Sequence, residues 1–183
     1  QMRIIADLHV HSKYSRATSK NLSFENLEKY SRIKGINLLG TGDFQHPEQR
    51  KLIESELTED SNGILWSKTE FPYILQTEIS FMFSQGGKRR AVHLVVFSPN
   101  KITADRIILY LLSKGRLDYD GRPIFGIPCA QFVKDMKLIS EKIEIIPSHC
   151  MTPWFGIFGS DSGFDSLQEC FGEETKHIYE VES

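Results

Sequence analysis

ADLHVHSKYS, residues 6–15, sets two histidines one residue apart where an apolar run gives way to a polar loop. The preceding MRIIADL, residues 2–8, reads as a buried strand. Residues i and i+2 of a strand point to the same face. His9 and His11 are therefore expected side by side where that strand ends. Two imidazoles in that position can hold a metal, bind an anion, or merely fill space.

Outward from this stretch the chain alternates strand and helix signals. LSFENLEKYSRIKG (22–35) predicts a helix, with Ser23 as N-cap and Gly35 just past its end. INLLGTGDF (36–44) is a second apolar run, which completes a β-α-β unit and implies parallel strands. PEQRKLIESEL (47–57) predicts a helix opened by Pro47. FPYILQTEISFMF (71–83) and RRAVHLVVFS (89–98) read as strands around a glycine-containing hairpin turn. TADRIILYLLSKG (103–115) predicts a helix capped by Thr103, and PCAQFVKDMKLIS (128–140) another starting on Pro128. IEIIPSH (143–149) is a further strand, followed by the glycine- and aromatic-rich loop 150–163. KHIYEVES (176–183) reads as one more strand, which suggests a fragment of something longer. With no repeats or linkers, residues 1–183 read as one α/β domain, barrel-like or open-sheet.

Composition narrows the function classes. A hydrophobic content of 40% and a charged content of 25% are those of an ordinary globular protein. The net charge of −2 gives no global basic field, so any nucleic-acid contact has to be local. Cys129, Cys150 and Cys170 form no CxxC pair, as expected of reduced thiols in a cytoplasmic setting. No membrane span or signal-peptide pattern is evident.

The candidate ligands fall repeatedly where apolar runs end. His9 and His11 close the first, and Asp43 closes the second with His46 three residues on. Glu78 and His93 sit in the next two, and His149 follows the last; of the six histidines only His177 stands apart. Side chains at strand C-terminal ends converge in α/β folds. Each residue alone has an ordinary explanation in packing, but the repeated placement predicts a shared metal site. Imidazole and carboxylate ligands suit two or three divalent cations such as Zn, Mn or Mg. Cys150 is expected to be a small buried residue.

DLHVHS, GTGDFQHP, Glu78, His93 and PSHCMTPWF together resemble the PHP (polymerase and histidinol phosphatase) superfamily of metal-dependent phosphoesterases. More narrowly, HSKYSRATSKN, GTGDFQHP and PSHCMTPWFGIFGS resemble the N-terminal PHP domain of the endonuclease Q family. That resemblance implies a distorted (β/α)7 barrel, here truncated before its last strands, with a metal cluster at its strand ends. His9 and His11 would bind one cation, Glu78 would bridge two, and His93 and His149 would hold the second. Asp43 would serve a third position. The family's Asp-His pair is altered, with Phe44 in the histidine's place and His46 displaced, and its closing Asp-x-His has no counterpart before Ser183.

The implied activity is phosphodiester hydrolysis in DNA, cutting 5′ of deaminated bases (uracil, hypoxanthine) or abasic sites. The alternatives are hydrolysis of a small phosphate monoester, and a metal-binding domain without turnover. Lys13, Arg16 and Lys20 form one basic cluster, and Lys88, Arg89 and Arg90 another. Both suit phosphate contacts or simply solvated surface. Trp154 and Phe155 could stack on an extruded base or cap the fold's rim.

Overall fold

The structure, a computed structural model, describes residues 3–183. Gln1 and Met2, the latter opening the expected strand 2–8, lie outside the described residues. The chain forms two compact units. One comprises the residues up to Thr77 together with Phe97–Arg122, the other Glu78–Val96 and Pro123–Ser183.

In the first unit, β1 (Ala6–Asp7) is followed by α1 (Phe24–Lys34) and β2 (Leu38–Gly40). The two strands pair in parallel, Ala6 opposite Leu38, as the β-α-β pattern requires. Ser23 starts α1 by accepting from the Asn26 N–H at 3.2 Å. Gly35 ends it at φ 74°, a conformation that costs glycine little. Next come α2 (Pro47–Glu56), β3 (Thr58–Glu59), β4 (Leu65–Trp66) and β5 (Pro72–Gln85). β5 pairs in parallel with β2, Tyr73 opposite Leu39, and antiparallel with β4 on its other side. The strand order of this unit, β1-β2-β5-β4-β3, is open and does not return on itself.

Two expectations are corrected here. The strand 2–8 is not buried: Arg3–Asp7 are exposed, Ile4 by 61%. The reason is its place at the end of the strand order, where β1 has a neighbouring strand, β2, on one flank alone. The helix expected over 103–115 is α3 (Lys101–Leu112), and its cap is Asn100 rather than Thr103. Asn100 Oδ1 accepts from the Thr103 N–H at 2.8 Å, so Thr103 already lies inside the first turn. The short strands β3 and β4 were not legible as runs, being two residues each.

The second unit takes the latter half of β5 and β6 (Lys88–Ser98) as a hairpin. Gly86 and Gly87 both have positive φ, 63° and 72°. Two such residues in succession give a turn whose twist matches the flanking strands. β7 (Ile124–Phe125) pairs in parallel with β5, and α4 (Cys129–Ile139) packs Phe132 on Phe81 at 4.7 Å between ring centroids. β8 (Glu144–Pro147) pairs with β6, and α5 (Leu167–Phe171) leads into a 3-10 helix, Gly172–His177. Seven consecutive residues are buried in each of β5 (Leu75–Phe81) and β6 (Arg90–Val96), so these stretches do not alternate: both are enclosed on two faces. The expected strand 176–183 is absent. Lys176 and His177 belong to the 3-10 helix, and the following segment makes its backbone bonds to Pro147 and Cys150 through Glu182 alone. One paired residue does not make a ladder.

Among the described residues no helix is long and apolar enough to cross a membrane. All three cysteines are buried and unbridged.

Candidate metal centre

In the second unit, β5 supplies Glu78, β6 supplies His93, and the turn after β8 supplies His149. One carboxylate oxygen, Glu78 Oε1, lies 3.1 Å from His149 Nε2 and 3.1 Å from His93 Nδ1. The two nitrogens are themselves 3.1 Å apart. These three atoms form an equilateral triangle around a carboxylate that is only 1% exposed. A cation about 2.1 Å from each of three donors holds them roughly 3.0–3.4 Å apart, in octahedral or tetrahedral arrangement. The observed edge fits that window. The residues present therefore suit a divalent cation such as zinc or manganese.

The supports of this triangle are as specific as the triangle itself. Ser148 donates its hydroxyl to Glu78 Oε1 at 2.9 Å, orienting the carboxylate. His149 holds φ at 31°, a backbone conformation unfavourable for a side chain with a Cβ. Its Nδ1 lies 3.1 Å from Thr152 Oγ1. That hydroxyl has one proton, directed at the carbonyl of His149 or of Trp154, 3.0 and 2.9 Å away. Its lone pair can then accept from His149 Nδ1–H, the tautomer that would give Nε2 a lone pair for a cation shared with Glu78. His93 is held by its own backbone N–H donating to Phe155 O at 3.0 Å. Its ring is stacked on Phe155, centroids 4.1 Å apart. Ser148 and Thr152 were not singled out from the sequence. Their signal is a hydroxyl residue adjacent to His149 and another three positions on, a spacing too common to be diagnostic.

In the first unit, His9 and His11 lie past the end of β1 rather than on it, yet their rings are neighbours, with centroids 5.5 Å apart. Their loop is fixed from below. Gln76 Oε1 accepts from the Val10 N–H at 3.1 Å. Asp43 is wholly buried and takes three bonds on one oxygen. Ser12 N–H, Ser12 Oγ–H and Ser15 Oγ–H approach Oδ2 at 2.6, 2.5 and 2.9 Å. Its other oxygen, Oδ1, is 3.3 Å from His11 Nδ1. Gly42, at φ 67°, makes room for this approach, since a Cβ there would sit 2.9 Å from Val10 O.

His46 has a different occupation. It caps α2, its Nδ1 accepting from the Glu48 N–H at 3.3 Å, and its ring stacks on Tyr14 with centroids 4.7 Å apart. Burial holds its pKa below the ordinary 6.5, against the raising influence of Asp43 and Glu48.

The expected substrate contacts divide in the same way. Lys13, Lys20 and Arg89 are exposed, and Arg16 is exposed with its Nε 3.3 Å from Asp120. Arg90 is buried and committed elsewhere. Its guanidinium pairs with Glu169 at 2.9 Å, donates to the carbonyls of Gln85 and Gly163, and lies over the Phe164 ring at 4.2 Å. Of the two aromatics, Trp154 is 60% exposed, whereas the ring of Phe155 is taken up on His93. Arg90 looked like a phosphate contact from its neighbours in sequence; its packing overrides that reading.

No family model matches the chain. An uncharacterized protein of Methanocaldococcus jannaschii is 34% identical over 148 residues, which are 80% of this chain and 16% of that protein. Among solved structures, the lesion-specific endonuclease EndoQ of Pyrococcus furiosus superposes with a TM-score of 0.78 at 24% identity, over 92% of this chain and 39% of that one. A complex of endonuclease Q with a 27-mer duplex substrate carrying an abasic lesion at the active site gives a TM-score of 0.79 at 27% identity, over 92% and 40%. The chain thus spans well under half the length of each of these proteins.

Proposed function

The chain has the PHP-type fold, most like that of endonuclease Q, and on that premise we propose that it serves metal-dependent hydrolysis of phosphodiester bonds in damaged DNA. The observation that carries this reading is the triangle of Glu78 Oε1, His93 Nδ1 and His149 Nε2, with its 3.1 Å edges. His9 and His11 are the ligands proposed for a second cation. Divalent cations at such sites lower the pKa of bound water and neutralise charge on phosphate oxygens.

The chain's own residues have definite parts in this scheme. Ser148 and Thr152 hold the ligand atoms of Glu78 and His149 in one orientation each. Phe155 stacks on one face of His93. Lys13, Arg16, Lys20 and Arg89 are the exposed cations available to a phosphate backbone, and Trp154 is the exposed ring available to an unstacked base. Cleavage 5′ of a deaminated base or an abasic site is the specificity that the likeness to endonuclease Q suggests.

The test is a nicking assay on an end-labelled duplex carrying one abasic site or one deoxyuridine, with Mn²⁺, Mg²⁺ or Zn²⁺. A metal-dependent cut 5′ of the lesion, lost with His149→Ala, is the expected result. Hydrolysis of p-nitrophenyl phosphate without nicking would replace it with a monoesterase. Cation binding without either activity would replace it with a non-catalytic metal domain.

A further inference from the structure

We propose that Asp43 is a positioning residue rather than a metal ligand, and that it sets the tautomer of His11. The inference rests on the metal-dependent reading above for its consequence, but not for its geometry. Ligation needs a carboxylate lone pair, and those of Oδ2 are spent on Ser12 N–H, Ser12 Oγ–H and Ser15 Oγ–H. The direction of these bonds is set by the surroundings. Tyr14 N–H donates to Ser12 Oγ at 3.2 Å, so the serine proton points away from Tyr14 and toward Asp43.

The remaining oxygen faces His11 Nδ1 at 3.3 Å, and the second group near that nitrogen is Ser15 Oγ, also at 3.3 Å. A carboxylate accepts only, and the Ser15 proton is already directed at Asp43. These two groups beside Nδ1 are therefore acceptors, and Nδ1 carries the ring proton. The lone pair is left on Nε2, the atom that His11 would present to a cation. Asp43 adopts a positive φ of 46° to reach this place, and Gly121 gives it room, since a Cβ there would fall against Asp43 Oδ2 and Ser15 Oγ. His149 and Thr152 show the same arrangement in the other unit, reached with a hydroxyl instead of a carboxylate.

Asp43→Asn tests this sharply. The side facing Ser12 and Ser15 receives three donors, so the amide must turn its oxygen there and its NH₂ toward His11 Nδ1. That donor forces the ring proton onto Nε2. The measurement is a long-range ¹H–¹⁵N spectrum of the metal-stripped full chain near pH 8.5, where imidazoles are neutral, with His11→Ala for assignment. We expect Nδ1–H in the wild type and Nε2–H in Asp43→Asn. Zn²⁺ titration should then show affinity at the weakened site down about 10- to 100-fold with stoichiometry unchanged. Wild-type His11 protonated on Nε2 would overturn the proposal, even if the variant did not fold. So would loss of one bound equivalent of Zn²⁺ with the tautomer unaltered, which would make Asp43 a ligand. A tautomer switch in a protein that binds no cation would uphold the positioning role and defeat the metal reading instead.

Discussion

Glu78 Oε1 and His149 Nε2, 71 positions apart in the chain, meet at 3.1 Å with the carboxylate almost wholly buried. A buried carboxylate needs partners of opposite or donor character. Its partners include one serine hydroxyl and two imidazoles, one of them held by a threonine. Glu78→Gln preserves the volume and removes the charge. Cation affinity measured by calorimetry should fall at least about a hundred-fold, more than for any change to a supporting residue. An unchanged affinity would remove Glu78 from the centre.

Thr152 acts through His149, and its substitution separates support from structure. Thr152 is exposed, so Thr152→Ala should alter folding stability by no more than about 0.5 kcal/mol. It should still weaken cation binding by roughly ten-fold or more, because the Nδ1 acceptor is gone. Thr152→Ser keeps the hydroxyl and should restore binding. Equal loss in both variants would mean that the methyl group, not the hydrogen bond, matters.

The two arginines of the hairpin should behave oppositely. Arg90→Ala removes a salt bridge to Glu169, two carbonyl contacts and the stacking on Phe164, and should cost about 2 kcal/mol or more in urea denaturation. Arg89→Ala removes an exposed side chain and should leave the midpoint in place. If Arg89 contacts a phosphate, its loss lowers DNA affinity at every sequence and reduces the salt slope by about one. A DNA-binding defect confined to Arg90→Ala at equal stability would reverse the assignment.

His46 gives the fold a pH dependence of predictable sign. Burial lowers its pKa in the folded state below 6.5, despite the acidic groups around it. The unfolded chain therefore takes up the proton first as pH falls, and stability is lost below about pH 6.5. His46→Asn keeps an N-cap and removes the titration. Its stability should decline less steeply between pH 7 and pH 5 than the wild type's, measured by thermal melts. Parallel curves would show that other groups govern this range.

Gly121→Ala should disturb the Asp43 cluster without touching any proposed ligand. The added Cβ meets Asp43 Oδ2 and Ser15 Oγ, both on short buried side chains with little room to yield. A loss of roughly 1–3 kcal/mol is expected from such overpacking. Full stability with an unchanged His11 environment would show that the cluster can shift.

Much of this molecule was legible as a string of residues, because local chemistry carried the signal. Ser23 and Gly35 bounded α1, Gly86 and Gly87 made the hairpin, and histidines or acids at the ends of apolar runs marked the ligand candidates. These follow from caps, backbone φ preferences and the strand period, each of which acts over a few residues. Tertiary packing decided the rest. It left strand β1 exposed at the end of its strand order, buried Arg90 under Glu169 and Phe164, and turned Phe155 onto His93. It also chose which oxygen meets which ring nitrogen, through Asp43 at His11 and Thr152 at His149. Residue types name the donors and acceptors, but a hydrogen bond is a matter of position and direction, and those exist only once distant segments are packed together.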